Sequence, residues 1–222
     1  MKDSLGDRMK GYYEDRFRTM LPRRAYTLIR VDGKAFHTYT ASLDKPFDSG
    51  LVEDMSQTAV KLCESIMGAQ LAYVQSDEIS VLVTDFAKLE TQAWFDNNLQ
   101  KMCSVSASIA TSAFNDARMR RWFSDSYESF AERWPRSWPR IGQFDSRVFQ
   151  IPCKTEVENY LIWRQQDATR NSVSAVAQSM YSHRELEGKN SSQLQEMIFQ
   201  KGLNWNDLDE GLKRGRVVMR VE

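Results

Sequence analysis

The chain is 222 residues long, 41% hydrophobic and 27% charged, and its 30 lysines and arginines are matched by 30 aspartates and glutamates. That length and mix describe one globular domain, or one domain with a helical appendage, able to bury a core without staples. A net charge of zero excludes a blanket polyanion-binding coat, so any nucleic-acid surface has to come from local patches.

Residues 4–20 read as an amphipathic helix that Asp3 or Ser4 can cap. Arg23 to Val31 follows as a short apolar strand that stops at Asp32-Gly33. A polar loop containing Pro46 runs to Asp48, a cap for the next helix, in which Leu51, Met55, Ala59, Leu62 and Ile66 recur at helical spacing. Leu71 to Gln75 and Ile79 to Thr84 read as strands joined tightly at Ser76-Asp77-Glu78. A long helix then puts Leu99, Met102, Val105, Ile109 and Ala113 on one face, and Arg147 to Ile151 makes a fourth strand. Trp134 to Pro139 is the clearest irregular connector. Helices over Glu156 to Met180 and Ser192 to Gln200 and a short strand over Arg216 to Val221 complete the chain.

The order strand, helix, strand, strand, helix, strand is that of a split βαβ sheet. The expected fold class is α+β, a ferredoxin-like βαββαβ sheet with additional C-terminal helices. Residues 1–152 would form the catalytic core with its N-terminal helix, and residues 153–222 a helical extension packed on the same domain. The three cysteines, Cys63, Cys103 and Cys153, fit neither a disulfide framework nor a metal knuckle, which favours a reducing setting. With no apolar run of membrane-spanning length and no apolar leader, the expectation is a soluble, cytoplasmic protein.

In a split βαβ sheet the first and third strands are neighbours, so Asp32 at the end of one can face Asp77 at the hairpin tip of the other. Two such carboxylates with a loop carbonyl suit hard Mg²⁺ ions that also hold substrate phosphates, the arrangement of phosphoryl and nucleotidyl transfer. Polymerase palms and nucleotide cyclases share the layout, and fold alone does not choose between them. Asp-Gly is also an ordinary turn dipeptide, and Ser-Asp-Glu reads equally as a solvated hairpin tip. The paired placement is what favours a metal site. After Asp32, Gly33 permits close approach, and Lys34, His37 and Lys45 are near in sequence, as in a triphosphate cradle or a plain polar loop. His37 has no zinc-ligand partner spacing, and His183 is given no role.

Two stretches carry local positive charge. Between Arg8 and Arg24 six cations face Glu14 and Asp15, which reads best as a solvated face. Between Arg118 and Arg140 six arginines, among them Arg118, Arg120, Arg121 and Arg136, face three acids and alternate with Trp122, Trp134 and Trp138. That pattern suits RNA as well as it suits a core or interface. The run from Trp163 to Ser172 is unusually polar for mid-helix, which a ligand groove, a solvent stripe or a subunit contact would each explain.

Arg30-Val31-Asp32-Gly33-Lys34-Ala35-Phe36-His37, Lys45-Pro46-Phe47-Asp48, Gln75-Ser76-Asp77-Glu78, Phe144-Asp145-Ser146-Arg147 and Trp163-Arg164-Gln165 occur in that order. Together they resemble the tRNA-His guanylyltransferase superfamily, enzymes that add nucleotides in the 3′-to-5′ direction, from about residue 5 to Lys213-Arg214-Gly215. The resemblance implies a polymerase-type palm, two Mg²⁺ ions held by Asp32, the Gly33 carbonyl and Asp77, and a catalytic requirement for Asp32, Asp77 and Glu78. It further implies that Gly33, Lys34, Ala35, Phe36 and His37 cradle a nucleoside triphosphate, with Lys45, Asp48, Ser76 and Lys101 around its phosphates. Tetramers are usual in the family, which would place tRNA across subunits. Arg118, Arg120, Arg121, Arg136, Arg147, Arg164, Arg170 and Asn171 are the candidate RNA contacts.

Eukaryotic members carry a His-Ile-Asn-Asn run where this chain has Thr169-Arg170-Asn171-Ser172. That is similar to the bacterial and archaeal like-protein branch and implies template-directed repair of 5′-truncated tRNA after ATP or GTP activates the 5′-monophosphate. Addition of the extra guanylate to tRNA-His is the close rival. A palm-type nucleotide cyclase and a non-catalytic RNA-binding protein are more distant ones.

Overall fold

The computed structural model describes residues 4–124 and 140–220. Strand β1 (Tyr26–Gly33) alternates in what it buries: Ile29 and Val31 enter one core cluster, Leu28 another, and Arg30 and Asp32 share Leu28's side. Around it lie β2 (Ala69–Gln75), β3 (Glu78–Val83), β4 (Phe144–Ile151) and β5 (Arg216–Met219), in the order β4-β1-β3-β2-β5. All neighbouring strands in this sheet pair antiparallel, and β3 lies between β1 and β2 as the split βαβ order requires. The result is a mixed α/β chain built on a five-stranded antiparallel sheet.

Helices α3 (Ser49–Ser65) and α4 (Leu99–Ser124) cover the first face. Met55, Ala59, Leu62 and Ile66 meet Ile29, Val31, Ile79 and Val81 there, as the helical spacing predicted. Asp48 caps α3, accepting the Leu51 N–H at 2.7 Å. The α4 face differs from the expected one. Its buried row is Met102, Ser106, Ala110 and Phe114, whereas Leu99 and Ala113 lie off it. Ser106 is tolerated because its hydroxyl donates to the Met102 carbonyl at 2.6 Å and pairs with Ser146 at 2.7 Å.

The other face is covered by α5 (Lys154–Met180), whose Val157 and Tyr160 pack on Leu28 and Leu82. Farther along, its Val173, Val176 and Ala177 join Leu194 and Ile198 of a later helix and Trp205 in a satellite core. Short α6 (His183–Leu186), α7 (Ser191–Gln200) and α8 (Glu210–Arg214) follow. No helix among the described residues is long and apolar enough to cross a membrane.

Several boundaries depart from the expected ones, and β1 runs from Tyr26 to Gly33 rather than from Arg23 to Val31. The N-terminal helix is α-helical only over α1 (Ser4–Met9), then continues as π and 3₁₀ turns to Phe17. β4 begins at Phe144, not Arg147, because pairing with β1 runs out to Gly33. The loop before Asp48 holds a short α2 (Phe36–Tyr39), fixed by Phe36 and Tyr39 packing with Phe114. Tertiary aromatic contacts, not local propensity, make that turn helical. The Asp3 cap, the Trp134 to Pro139 connector and Val221 fall outside the described residues.

Candidate active site

Three strand ends meet where β1 stops. Asp32 lies opposite Glu78 of β3 on one side and opposite Asp145 of β4 on the other. The Gly33 N–H donates to the Asp77 carbonyl at 3.0 Å, carrying the ladder into the two-residue turn Ser76-Asp77. Ser76 takes the left-handed conformation there, with φ 45°. Asp77 and Asp32 are thereby brought together. Burial pushes the Asp77 carboxyl up, and the Asp32 charge pushes it the same way. Two carboxylates close enough to repel are what a divalent cation relieves, and oxygen donors are what a hard cation takes. The donor set therefore fits Mg²⁺. Arg147 bridges Asp32 and Asp145 across the β1–β4 ladder, Nη2 3.7 Å from Asp32 Oδ2 and 3.6 Å from Asp145 Oδ1.

Glu78 shares the α5 face of the sheet with Asp32, but its carboxylate is held under α5. Arg164 grips it with a fork, Nε to Oε1 at 2.8 Å and Nη2 to Oε2 at 2.9 Å, and also donates to Asp167 Oδ2 at 2.8 Å. Burial pushes the Glu78 carboxyl up, against the Arg164 and Arg30 guanidiniums that favour its charge. The hairpin is thus solvated at exposed Ser76, while Asp77 is half-buried and Glu78 buried.

After Gly33 the chain is pinned by the Lys34 N–H, which donates to the Gln143 carbonyl at 2.8 Å, and by Arg140 reaching the Thr38 carbonyl at 3.1 Å. Ala35 enters α2 in the left-handed region, φ 54°. Lys34, Ala35 and His37 are exposed, but the Phe36 ring is buried against Tyr39, Phe114 and Phe144. Only the Phe36 backbone can serve a triphosphate. Gly33 is required by that ring: a Cβ there would fall inside the Phe36 side chain.

A pocket of about 220 Å³ adjoins the hairpin, lined among others by Lys45, Asp48, Gln75, Ser76, Asn171 and Arg216. Three of the triphosphate candidates, Lys45, Asp48 and Ser76, come together here, and Asn171 joins them from α5. Arg216 was not anticipated, since its placement depends on β2 pairing with β5 far along the chain.

Other candidates are placed elsewhere. Lys101 sits in the first turn of α4, its Nζ 6.0 Å from the Phe95 ring centroid. The helix runs about 15 Å farther before Thr111 accepts the Phe144 N–H, so this Lys101 does not share the site of the same chain. Arg164 is only 5% exposed and is a correction to the RNA-contact list, because Glu78 and Asp167 consume its donors. Arg118 and Arg121 both engage buried Asp54, which assigns them to packing between α3 and α4. Arg120 pairs with Asp116 and Arg170 with Asp167, both on exposed helix faces. Arg136 lies outside the described residues.

The sequence model of the family described as Thg1, tRNAHis guanylyltransferase, matches residues 6–152. A tRNA(His) guanylyltransferase of Eremothecium gossypii is 29% identical over 216 residues, covering 91% of this chain and 85% of the relative. The solved structure of a bacterial tRNA(His) guanylyltransferase-like protein in complex with ATP is 46% identical, with a TM-score of 0.87 over 98% of this chain and 89% of that one. A second, in complex with GTP, is 45% identical, with a TM-score of 0.80 over 98% and 84%.

Proposed function

The chain belongs to the tRNAHis guanylyltransferase family of nucleotidyltransferases, and we propose that it is a Mg²⁺-dependent enzyme extending tRNA at its 5′ end in the 3′-to-5′ direction. The observation that carries this reading is the convergence of Asp32 and Asp77 beside a pocket lined by Lys45, Asp48 and Ser76. The sheet acts as a polymerase-type palm, with residues 1–152 as the catalytic core and 153–222 adding the helices of its far face and the edge strand β5. The relatives solved with ATP and GTP support the same nucleotides as ligands.

Asp32, Asp77 and the Gly33 carbonyl would hold the metal, and phosphate oxygens and water would complete its shell. Bound there, Mg²⁺ supplies Lewis-acid polarisation of the phosphoryl oxygens. Lys34 and Lys45 set positive charge against the triphosphate, and the first amides of α2 offer further donors. The 5′-phosphate oxygen of the RNA attacks the α-phosphorus of ATP and pyrophosphate leaves. The 3′-hydroxyl of the incoming triphosphate then attacks the activated 5′-phosphorus and AMP leaves. Arg147, half-exposed beside Asp32, could turn its guanidinium to a phosphate.

The test uses tRNA lacking its first nucleotide and carrying a labelled 5′-monophosphate, with Mg²⁺, ATP and each NTP singly. Addition of only the nucleotide complementary to the facing base, abolished in Asp77→Ala, is the expected outcome. The names of relatives such as the Eremothecium protein favour a second reading, guanylate addition to tRNA-His. Full-length tRNA-His gaining one guanylate in the same assay, with the truncated tRNA unextended, would establish that reading instead.

A further inference from the structure

Glu78 follows Asp77 directly and stands opposite Asp32 in the ladder, so position alone makes it a candidate third ligand. Its side chain contradicts that role. Both its oxygens are taken by the Arg164 fork at 2.8 and 2.9 Å. Gln75 Nε2 also approaches Oε1, at 3.4 Å, and Arg30 Nε stands 3.9 Å from Oε2.

Arg164 is itself held on three sides. Its Nη2 donates to Asp167 one helical turn on, its guanidinium carbon lies 4.4 Å from the Trp163 ring centroid, and the sheet closes the third side. A planar fork fastened this way leaves the Glu78 carboxylate little freedom to rotate, which a lysine could not achieve. Because Glu78 starts β3, fixing it fixes the end of the hairpin that carries Asp77.

We propose that Arg164 is a positioning residue of the metal-binding hairpin, locking Glu78 inward as a strut so that Asp77, and not Glu78, joins Asp32 at the metal. The inference rests on the reading that Asp32 and Asp77 hold Mg²⁺. It gives Glu78 a mechanical task and explains the polar run in the middle of α5. Outer residues that orient a ligand typically cost about 10- to 100-fold in metal affinity when removed.

The experiment titrates Mn²⁺ in the presence of ATP, reading free Mn²⁺ by EPR, with a melting curve recorded for every protein. Full-length wild type is compared with Asp77→Asn, Glu78→Gln, Arg164→Met and the Glu78→Gln/Arg164→Met pair. Asp77→Asn should retain only the Mn²⁺ that ATP binds by itself. Arg164→Met and Glu78→Gln should each weaken binding about tenfold or more. The pair should be no weaker than Arg164→Met alone, because two members of one strut do not add. If Arg164→Met does not fold, the pair still reports, since it leaves neither Glu78 nor Arg164 as an unmatched charge.

Glu78→Gln losing the metal as completely as Asp77→Asn, or the two losses multiplying in the pair, overturns the proposal. So does a lower melting temperature with unchanged Mn²⁺ affinity, which makes Arg164 a fold residue only. Wild type that binds no more Mn²⁺ than ATP alone defeats the metal reading itself, a result distinct from all of these.

Discussion

The two faces of the sheet are buried by opposite means. Under α3 and α4 the strands present Ile29, Val31, Val74, Ile79 and Val81, and the helices answer with Met55, Leu62, Met102 and Phe114. Under α5 the alternate residues of the same strands begin apolar at Leu28 and Leu82, then change to Ser80, Arg30 and Glu78 as they near Asp32. On the first face each contact stabilises roughly in proportion to the area it removes from water. On the second, the Glu78–Arg164 and Ser80–Tyr160 pairs are tolerated only while both partners stay in place, so geometry there is enforced more strictly than stability is gained. The stricter face is the one that ends at the paired carboxylates.

The sharpest way to separate the faces is a core truncation on the first. Leu62→Ala removes a side chain buried completely in the apolar cluster and should cost about 2–5 kcal/mol in urea unfolding. Below its melting temperature it should leave Mn²⁺ affinity unchanged, and a parallel loss of affinity would show that the faces are coupled. Gly33→Ala lies at the junction of both. Its new methyl must displace the Phe36 ring, which Phe114 and Phe144 hold from behind, so about 1–3 kcal/mol is expected. Because that backbone also bonds Asp77, nucleotide transfer should fall at least tenfold at temperatures where the variant is folded.

This division marks what a sequence can reveal. The order of elements made the adjacency of β1 and β3 readable, and that adjacency brings Asp32 and Asp77 together in the expectation as in the fold. The α4 face was read only in part: Met102, Val105 and Ile109 pack on the core, but Ala113 turns toward a groove beside α3 and a serine occupies the buried row. Arg164 looked like a surface cation. Its partner Glu78 is 86 residues away, and no local pattern announces a pair formed only when α5 crosses the sheet. Arg118 and Arg121 were misleading in the same way, since buried Asp54 gives no sign in sequence that it needs two guanidiniums.

Smaller effects test the polar face more finely. Tyr160→Phe removes the hydroxyl that pairs with Ser80 at 2.9 Å and should cost about 1 kcal/mol in urea unfolding. If the loss is nil, that pair contributes nothing to the face.

The smallest expected change is a pH slope. Asp77 has its folded pKa raised by burial and by Asp32, above the ordinary value of 3.8. A raised carboxyl pKa means the metal-free fold holds the proton more tightly than the unfolded chain does. The contribution from Asp77 therefore grows as pH falls through the raised value, is complete below the ordinary one, and is lost as pH rises. Asp167 opposes it: although burial pushes its carboxyl up, Arg164 and Arg170 prevail and hold its pKa below the ordinary value, so its support weakens on acidification. Subtracting Asp77→Asn from wild type removes that second contribution. In EDTA the difference in melting temperature should favour the variant near neutrality and shrink toward about pH 4. Saturating Mn²⁺ and ATP should reverse its sign near neutrality, because the ion stabilises only the ionised wild-type pair. A difference that stays flat with pH and ignores the metal would mean that Asp77 does not feel Asp32, and the site would lose its physical basis.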